Sequence, residues 1–399
     1  MKRRKNRNVG IIGVGQTEYS SHKEDQNQPE MIYEAVQLAL KDANLKIGDI
    51  DCIVHGNMEL FEMQFQPDLW HSLGTGGVGK QAYRITTGGT TGATIVCASD
   101  NLVASGRHNI VMAIGMEKLQ EGHATAGITN MGCPLWHRHI QTGALASNPS
   151  ARALIKEYGL ERARKAAMRY RIMMDKHAML TPVAHRKFNL DYDQIDNLIE
   201  TSPRLVGELS LIHMCSQSDG ACVLILASEK IAAKAANGTA WIRDHIGVHR
   251  EESQNLFGHV RPERTQRYAA RKLFERNGIK NPIDYFDVFE MYDPSAWWGL
   301  EWLREFLLLN EGELFDLLEA GEFDMDGRLP LNPSGGVIAS NPIGATAAAR
   351  IAEGALQIRG LAGSHQVKKE AKHALCSGFG GTRWSTLMIL EKELNWTEV

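Results

Sequence analysis

Apolar residues come in short dense blocks separated by longer amphipathic ones, the alternation of a chain that forms strands and helices in turn. Residues 9–13 (VGIIG), 50–55 (IDCIVH), 109–115 (NIVMAIG) and 221–227 (ACVLILA) predict strands. The last two are apolar enough to be buried on both faces of a sheet. Residues 30–43, the segment after TTGGTTG (86–92) and residues 229–236 predict helices. The plan then repeats with helix 264–277, strand 285–290, helices 295–309 and 344–359, and a strand pair, 373–376 and 385–390, joined by SGFGGT. In each half a glycine-rich turn enters an apolar helix, which predicts two similar α/β halves sharing one core. The expected division is an N-terminal half over 1–120, an inserted lid over 121–210 with a long helix at 150–176, the end of the first half at 211–245, and a C-terminal half over 246–399.

Composition narrows the function classes. At 399 residues and a net charge of −3, with Lys and Arg scattered, no surface suited to nucleic acid is expected. No run approaches the ~18 apolar residues that span a bilayer, so no membrane segment is expected and the chain reads as soluble and cytoplasmic. Six irregularly spaced cysteines without a CxxC fit a reducing compartment and no structural zinc. Each reads first as a small buried hydrophobe. His123, His137 and His139 lack the spacing of a metal site, and no metal is expected.

The chemistry concentrates in the glycine turns. TTGGTTG sets Thr86 and Thr87 before a helix start, where free N–H groups and the positive dipole end stabilise an anion. The nearest nucleophile, Cys97, lies about three turns further on. NPSGGVIASNPIG aims Ser340 and Asn341 at a second helix start. LCSGFGGT puts Cys376 at a strand end, where the N–H groups around Gly378 and Gly380 would form an anion nest and lower the thiol pKa. A buried cysteine before a hairpin is an equal reading of that segment. His55 ends a strand and is expected to face the same crevice. FEMYDP offers Glu290, Tyr292 and Asp293 at a sheet edge, and Asp219 in SQSDGA reads as a turn residue. GTGGVGK lacks the spacing of a phosphate loop.

Taken in order, VGIIGVGQTEYS, TTGGTTGAT, IVMAIGMEKL, CSQSDGACVLILASEK, FDVFEMYD, NPSGGVIASNPIGATAAAR and LCSGFGGT resemble the thiolase superfamily along essentially the whole chain. The resemblance implies a duplicated five-layer α/β/α/β/α fold with two glycine-turn helices buried back to back and a lid over the coenzyme A entrance. It also implies a homodimer core. The YD at Tyr292–Asp293 is similar to the sterol-carrier-protein-type branch, whose relatives work with a small zinc-ribbon/OB-fold subunit. The opening segment and VHGNMELFEMQFQPDLWH resemble members that cleave benzoylsuccinyl-CoA.

Two departures from the family pattern matter. The nucleophilic cysteine position holds Thr86 or Thr87, and Asn341 replaces the histidine of the GHP motif. Only Cys376 matches the third catalytic position. The resemblance therefore implies thiolytic, retro-Claisen cleavage of a β-ketoacyl-CoA without the usual acyl-enzyme. Coenzyme A would serve as substrate, activated by Cys376 or His55. Thr86, Thr87 and Asn341 would hold oxyanions, Tyr292 would donate a proton, and Arg84 and Arg138 are the candidates for a substrate carboxylate. The alternatives are retro-aldol cleavage of a β-hydroxyacyl-CoA with Tyr292 as base, and a non-catalytic acyl-CoA-binding scaffold.

Overall fold

The computed structural model describes residues 7–62, 66–124, 127–128, 148–249, 263–380 and 384–394. In chain order the first half contains β1 (Val9–Gln16), α1 (Gln28–Ala43), β2 (Cys52–Gly56), α2 (Asp68–Thr75), β3 (Gln81–Arg84), α3 (Thr91–Ala104) and β4 (Ile110–Lys118). A mainly helical segment follows, with α4 (Asn148–Tyr158), α5 (Leu160–Leu180), α6 (Ile195–Thr201) and the small hairpin β5 (Arg204–Val206) and β6 (Leu209–Ser210). The chain returns through β7 (Asp219–Ser228), the single turn α7 (Glu229–Ala232) and β8 (Ala240–His249). The remainder is α8 (Thr265–Asn277), α9 (Pro282–Tyr285), β9 (Val288–Glu290), α10 (Ala296–Phe306), α11 (Glu313–Glu319), α12 (Gly336–Ala339), α13 (Ile343–Arg359), β10 (His373–Phe379) and β11 (Trp384–Glu391).

Nine strands line up in the order β3-β2-β4-β7-β1-β8-β11-β10-β9. The two halves meet where β1 pairs with β8 through only Gly10–Trp241 and Ile11–Ala240. Period-2 alternation makes the first half two-faced. Cys52 and Val54 of β2 join the large core around α3, while Ile53 joins a second cluster under α1. Helix α8 covers β8 and β11 of the other half, and α3 and α13 lie between the halves, each touching strands of both. This is the expected α/β/α/β/α layering.

Glycine permits the central crossing. A Cβ on Gly92 of α3 would stand 2.3 Å from the backbone N of Ala348 on α13. One on Gly378 of β10 would stand 2.8 Å from Ala93 and 3.1 Å from Ala347, one residue on each helix. Helix α1 begins with a reciprocal capping box between Asn27 and Glu30.

Some expected elements shift. The helix expected at 150–176 is two helices, because Gly159 takes φ +82 between them. The strand expected at 285–290 shortens to Val288–Glu290, because Pro282 starts a helical turn ahead of it. The helix expected at 229–236 is the single turn α7. Strands β3 and β8 were not foreseen; both expose polar positions and lack a dense apolar run.

Candidate functional site

The helix starts of α3 and α13 converge, because Gly92 and Ala348 touch in the first turns of both. At the α3 start the threonines form a closed knot. The Thr87 hydroxyl pairs with that of Thr94 at 2.8 Å and accepts from Thr90 at 3.0 Å. The Thr91 hydroxyl accepts from the Thr87 N–H at 2.9 Å and donates to the Gly88 carbonyl at 2.6 Å. Thr86 is exposed and Thr87 half-buried, so Thr87 is the inward residue of the pair.

The end of β10 and the residues after β9 close over this knot. A Cβ on Gly380 would stand 3.0 Å from both the Thr87 carbonyl and the Thr90 hydroxyl. One on Gly89 would stand 2.3 Å from the Phe379 carbonyl and 3.2 Å from the Tyr292 hydroxyl. Tyr292 is held by its N–H, which donates to Ser377 Oγ at 2.9 Å. Burial raises its phenol well above the usual tyrosine range. The next residue, Asp293, accepts from the Val337 N–H at 2.7 Å and the Tyr170 hydroxyl at 2.9 Å. Burial pushes its carboxyl up to about 7.

At the α13 start the polar groups are spread over several segments. The Asn341 N–H donates to Ser218 Oγ at 2.9 Å, its Oδ1 accepts from Thr346 at 2.9 Å, and its Nδ2 donates to Cys215 Sγ at 3.3 Å. Ser218 Oγ is also 2.7 Å from His185 Nε2 and 3.1 Å from Ser216 Oγ. The neighbouring Ser340 hydroxyl is buried without a partner. Glu117, at the end of β4, accepts from the Gly344 N–H at 2.8 Å and the Met58 N–H at 3.1 Å. Burial and the adjacent Glu62 raise its carboxyl well above the ordinary range.

Three expected residues lie elsewhere. Cys376 is inside β10 rather than at its end, fully buried, and a Cβ on Gly354 of α13 would stand 2.4 Å from its sulfur. That glycine is about 16 Å along the helix from its start. Burial, reinforced by the Glu290 carboxylate, pushes the thiol well above its usual range, the opposite of the expected lowering. His55 follows Ile53 onto the outer face of β2 and packs edge-on against His71 at 5.8 Å, away from α3. Burial, with Arg84 beside it, holds its imidazole down to about 4. Arg84 is already paired, with Glu59 at 2.8 Å and Asn57 at 2.8 Å. Arg138 lies outside the described residues.

Thr87, Asn341, Tyr292, Gly378 and Gly380 do meet around the helix starts, with Ser340 beside them. Asp219, read as a turn residue, is instead the first residue of β7, and its carboxylate accepts from the Lys23 and Gln120 N–H groups at 3.0 and 3.2 Å. Cys215, Ser218, His185 and Glu117 were missed. The signal for the first two was the polar run CSQS immediately before a strand of otherwise apolar residues. Among the described residues no group of three or more His, Cys, Asp or Glu could hold a metal ion, and no helix is long and apolar enough to cross a membrane.

Residues 260–392 match the family described as thiolase C-terminal domain-like. Sterol carrier protein 2 of Gallus gallus is 28% identical over 96% of this chain and 72% of its own length. Acetyl-CoA acetyltransferase of Methanothermobacter thermautotrophicus is 29% identical over 94% and 97%, and benzoylsuccinyl-CoA thiolase subunit BbsB of Thauera aromatica 27% over 70% and 71%. The structure of the Ltp2-ChsH2(DUF35) aldolase superposes with a TM-score of 0.78 at 23% identity, covering 97% of this chain and 98% of that one. Human mitochondrial 3-ketoacyl-CoA thiolase superposes at 0.71 and 14% identity, covering 98% and 100%. The fold is that of the thiolases, and residues 260–392 carry the thiolase C-terminal domain-like match.

Proposed function

We propose that the protein cleaves a β-ketoacyl-CoA thiolytically, with coenzyme A attacking the ketone directly and no acyl-enzyme at the first helix start. The observation that carries this reading is the occupant of that start. Thr87 stands there with its hydroxyl bonded to Thr94 and Thr90, and no thiol lies in the turn. A threonine hydroxyl needs an adjacent base to attack a carbonyl, and the groups around this one are further hydroxyls. The helix-start environment still suits an oxyanion. Asn341 Nδ2 has a second proton available for the enolate of the departing acyl-CoA. Tyr292 stands over Gly89 as a proton donor.

The likeness to BbsB supports 2-benzoylsuccinyl-CoA as substrate, giving benzoyl-CoA and succinyl-CoA. The Ltp2 structure, named with ChsH2, and the naming of BbsB as a subunit support a separate partner protein. A zinc-ribbon/OB-fold subunit beside a homodimer of this chain is the form proposed.

Retro-aldol cleavage of a β-hydroxyacyl-CoA is the second reading, favoured by the Tyr292 hydroxyl and by the likeness to an aldolase. Product analysis decides between them. Incubation with 2-benzoylsuccinyl-CoA and coenzyme A should yield a second thioester by liquid chromatography and mass spectrometry. An aldehyde or ketone released from a β-hydroxyacyl-CoA without added coenzyme A supports the aldolase instead. Tight acyl-CoA binding with neither product, even with the partner present, means a scaffold.

A further inference from the structure

With Cys376 packed under Gly354 and His55 on the outer face, thiolytic cleavage lacks the two groups expected to handle its proton. The structure places another thiol close by. Cys215 is only half-buried, and its backbone N–H donates to the Pro294 carbonyl at 2.9 Å, directly after Tyr292 and Asp293. Its sulfur accepts from Asn341 Nδ2 at 3.3 Å. The Thr346 hydroxyl holds the other end of that amide at 2.9 Å, which fixes the amide with its N–H toward the sulfur. Cys215 and Tyr292 are near enough that a charge on the thiol raises the tyrosine pKa.

A second observation points to a ligand in this space. The Ser340 hydroxyl, one residue from Asn341, is buried and unpartnered, although buried hydroxyls ordinarily find partners. Tyr292 is only 4% exposed, and its hydroxyl stands 3.2 Å from the position of a Cβ on Gly89. A polar ligand seated between Gly89 and Asn341 would satisfy the Ser340 hydroxyl.

We propose that Cys215 is the acid–base residue of the carbon–carbon cleavage. This rests on the thiolytic reading above. The coenzyme A sulfur forms a bond to the ketone carbon, and the carbon–carbon bond breaks. Its electron pair stays on the α-carbon of the departing acyl-CoA, and that carbon takes the Cys215 S–H proton. The thiolate left behind removes the S–H proton of the next coenzyme A, so the proton count closes over a turnover and no oxidant or reductant is needed. Burial, outweighing Arg186 and the Asn341 N–H, pushes the thiol up to about 11. It is therefore protonated at neutral pH, the state needed to quench a carbanion.

The test uses α-proton exchange in deuterium oxide with acetyl-CoA and succinyl-CoA, read as a mass shift of each thioester. The wild-type protein should exchange. Cys215→Ala should lose exchange and cleavage by about a hundredfold or more, while Cys376→Ala should keep exchange. Cys215→Ser, which preserves a partner for Asn341, guards against misfolding of the alanine variant. It should bind desulfo-coenzyme A normally and still exchange poorly. Undiminished exchange in both Cys215 variants, or absence of exchange in the wild type, overturns the assignment. Exchange needs no bond cleavage, so a wild type that exchanges but never forms a second thioester refutes the thiolytic reading alone.

Discussion

The two buried helices begin alike in plan and differ in chemistry. At the α3 start, Thr87, Thr90, Thr91 and Thr94 spend their hydroxyls on one another and on local carbonyls. At the α13 start, Asn341, Glu117 and the Cys215–Ser218 run come from three separate segments, and the Ser340 hydroxyl has no partner. The first is closed within a single turn, while the second joins several segments and leaves a buried hydroxyl unpaired. A motif rich in hydroxyls and glycine can look the more reactive while supplying mainly shape and a helix dipole.

The bluntest way to break this comparison is to part the helices. Gly92→Val would drive a side chain into the Ala348 backbone, so both starts should be lost together. A destabilisation of about 3 kcal/mol or more is expected, visible as a collapse of the thermal melt or as insoluble protein. A melt near wild type would mean the two starts are not held by that contact.

A finer test compares the two sides directly. Asn341→Ala removes an amide at the open start and should slow cleavage by about a hundredfold, the scale of one lost oxyanion donor. Thr87→Ala, at the closed start, should cost about 1 kcal/mol of stability and slow cleavage by less than about tenfold. Steady-state kinetics beside a melting curve reads both. The reverse order of rates would return the reactive role to the threonine turn.

The smallest effect concerns the outer face, where His55 and His71 are held neutral, down to about 4 and about 3. Their unfolded value is near 6.5. Their stabilising contribution is therefore present above pH 6.5. It is lost as the unfolded chain takes up protons that the folded one refuses, between pH 6.5 and about 4. His55→Asn should flatten the fall of melting temperature across that window. It should leave cleavage at neutral pH unchanged, because the residue faces away from the helix starts.

Much of the architecture was legible because it depends on local pattern. The apolar runs of β4 and β7 are read directly from residue order. Strand β8 (AWIRDHIGVH) was not legible, since Arg243, Asp244 and His245 break its apolar run and its second half is only partly buried. The site divided in the same way. Asn341 and Tyr292 were picked out because their loops carry strong turn signals. His55 was placed wrongly for want of one bit of information, namely which face of the strand its side chain takes, and Cys376 because β10 runs on to Phe379, past the strand end expected at 376. Cys215 was passed over because only a tertiary contact, the Asn341 amide, separates it from an ordinary buried cysteine.

The thin seam between the halves has a mechanical consequence. Only two residue pairs join β1 to β8, while α13 touches strands on both sides. Load between the halves therefore passes through that helix more than through the sheet. Asn341, just before its start, holds Cys215 and Ser218, and Gly344 in its first turn holds Glu117. A ligand that tightens or loosens this loop pulls on the strut common to both halves, so occupancy at the helix start becomes a strain felt across the whole molecule.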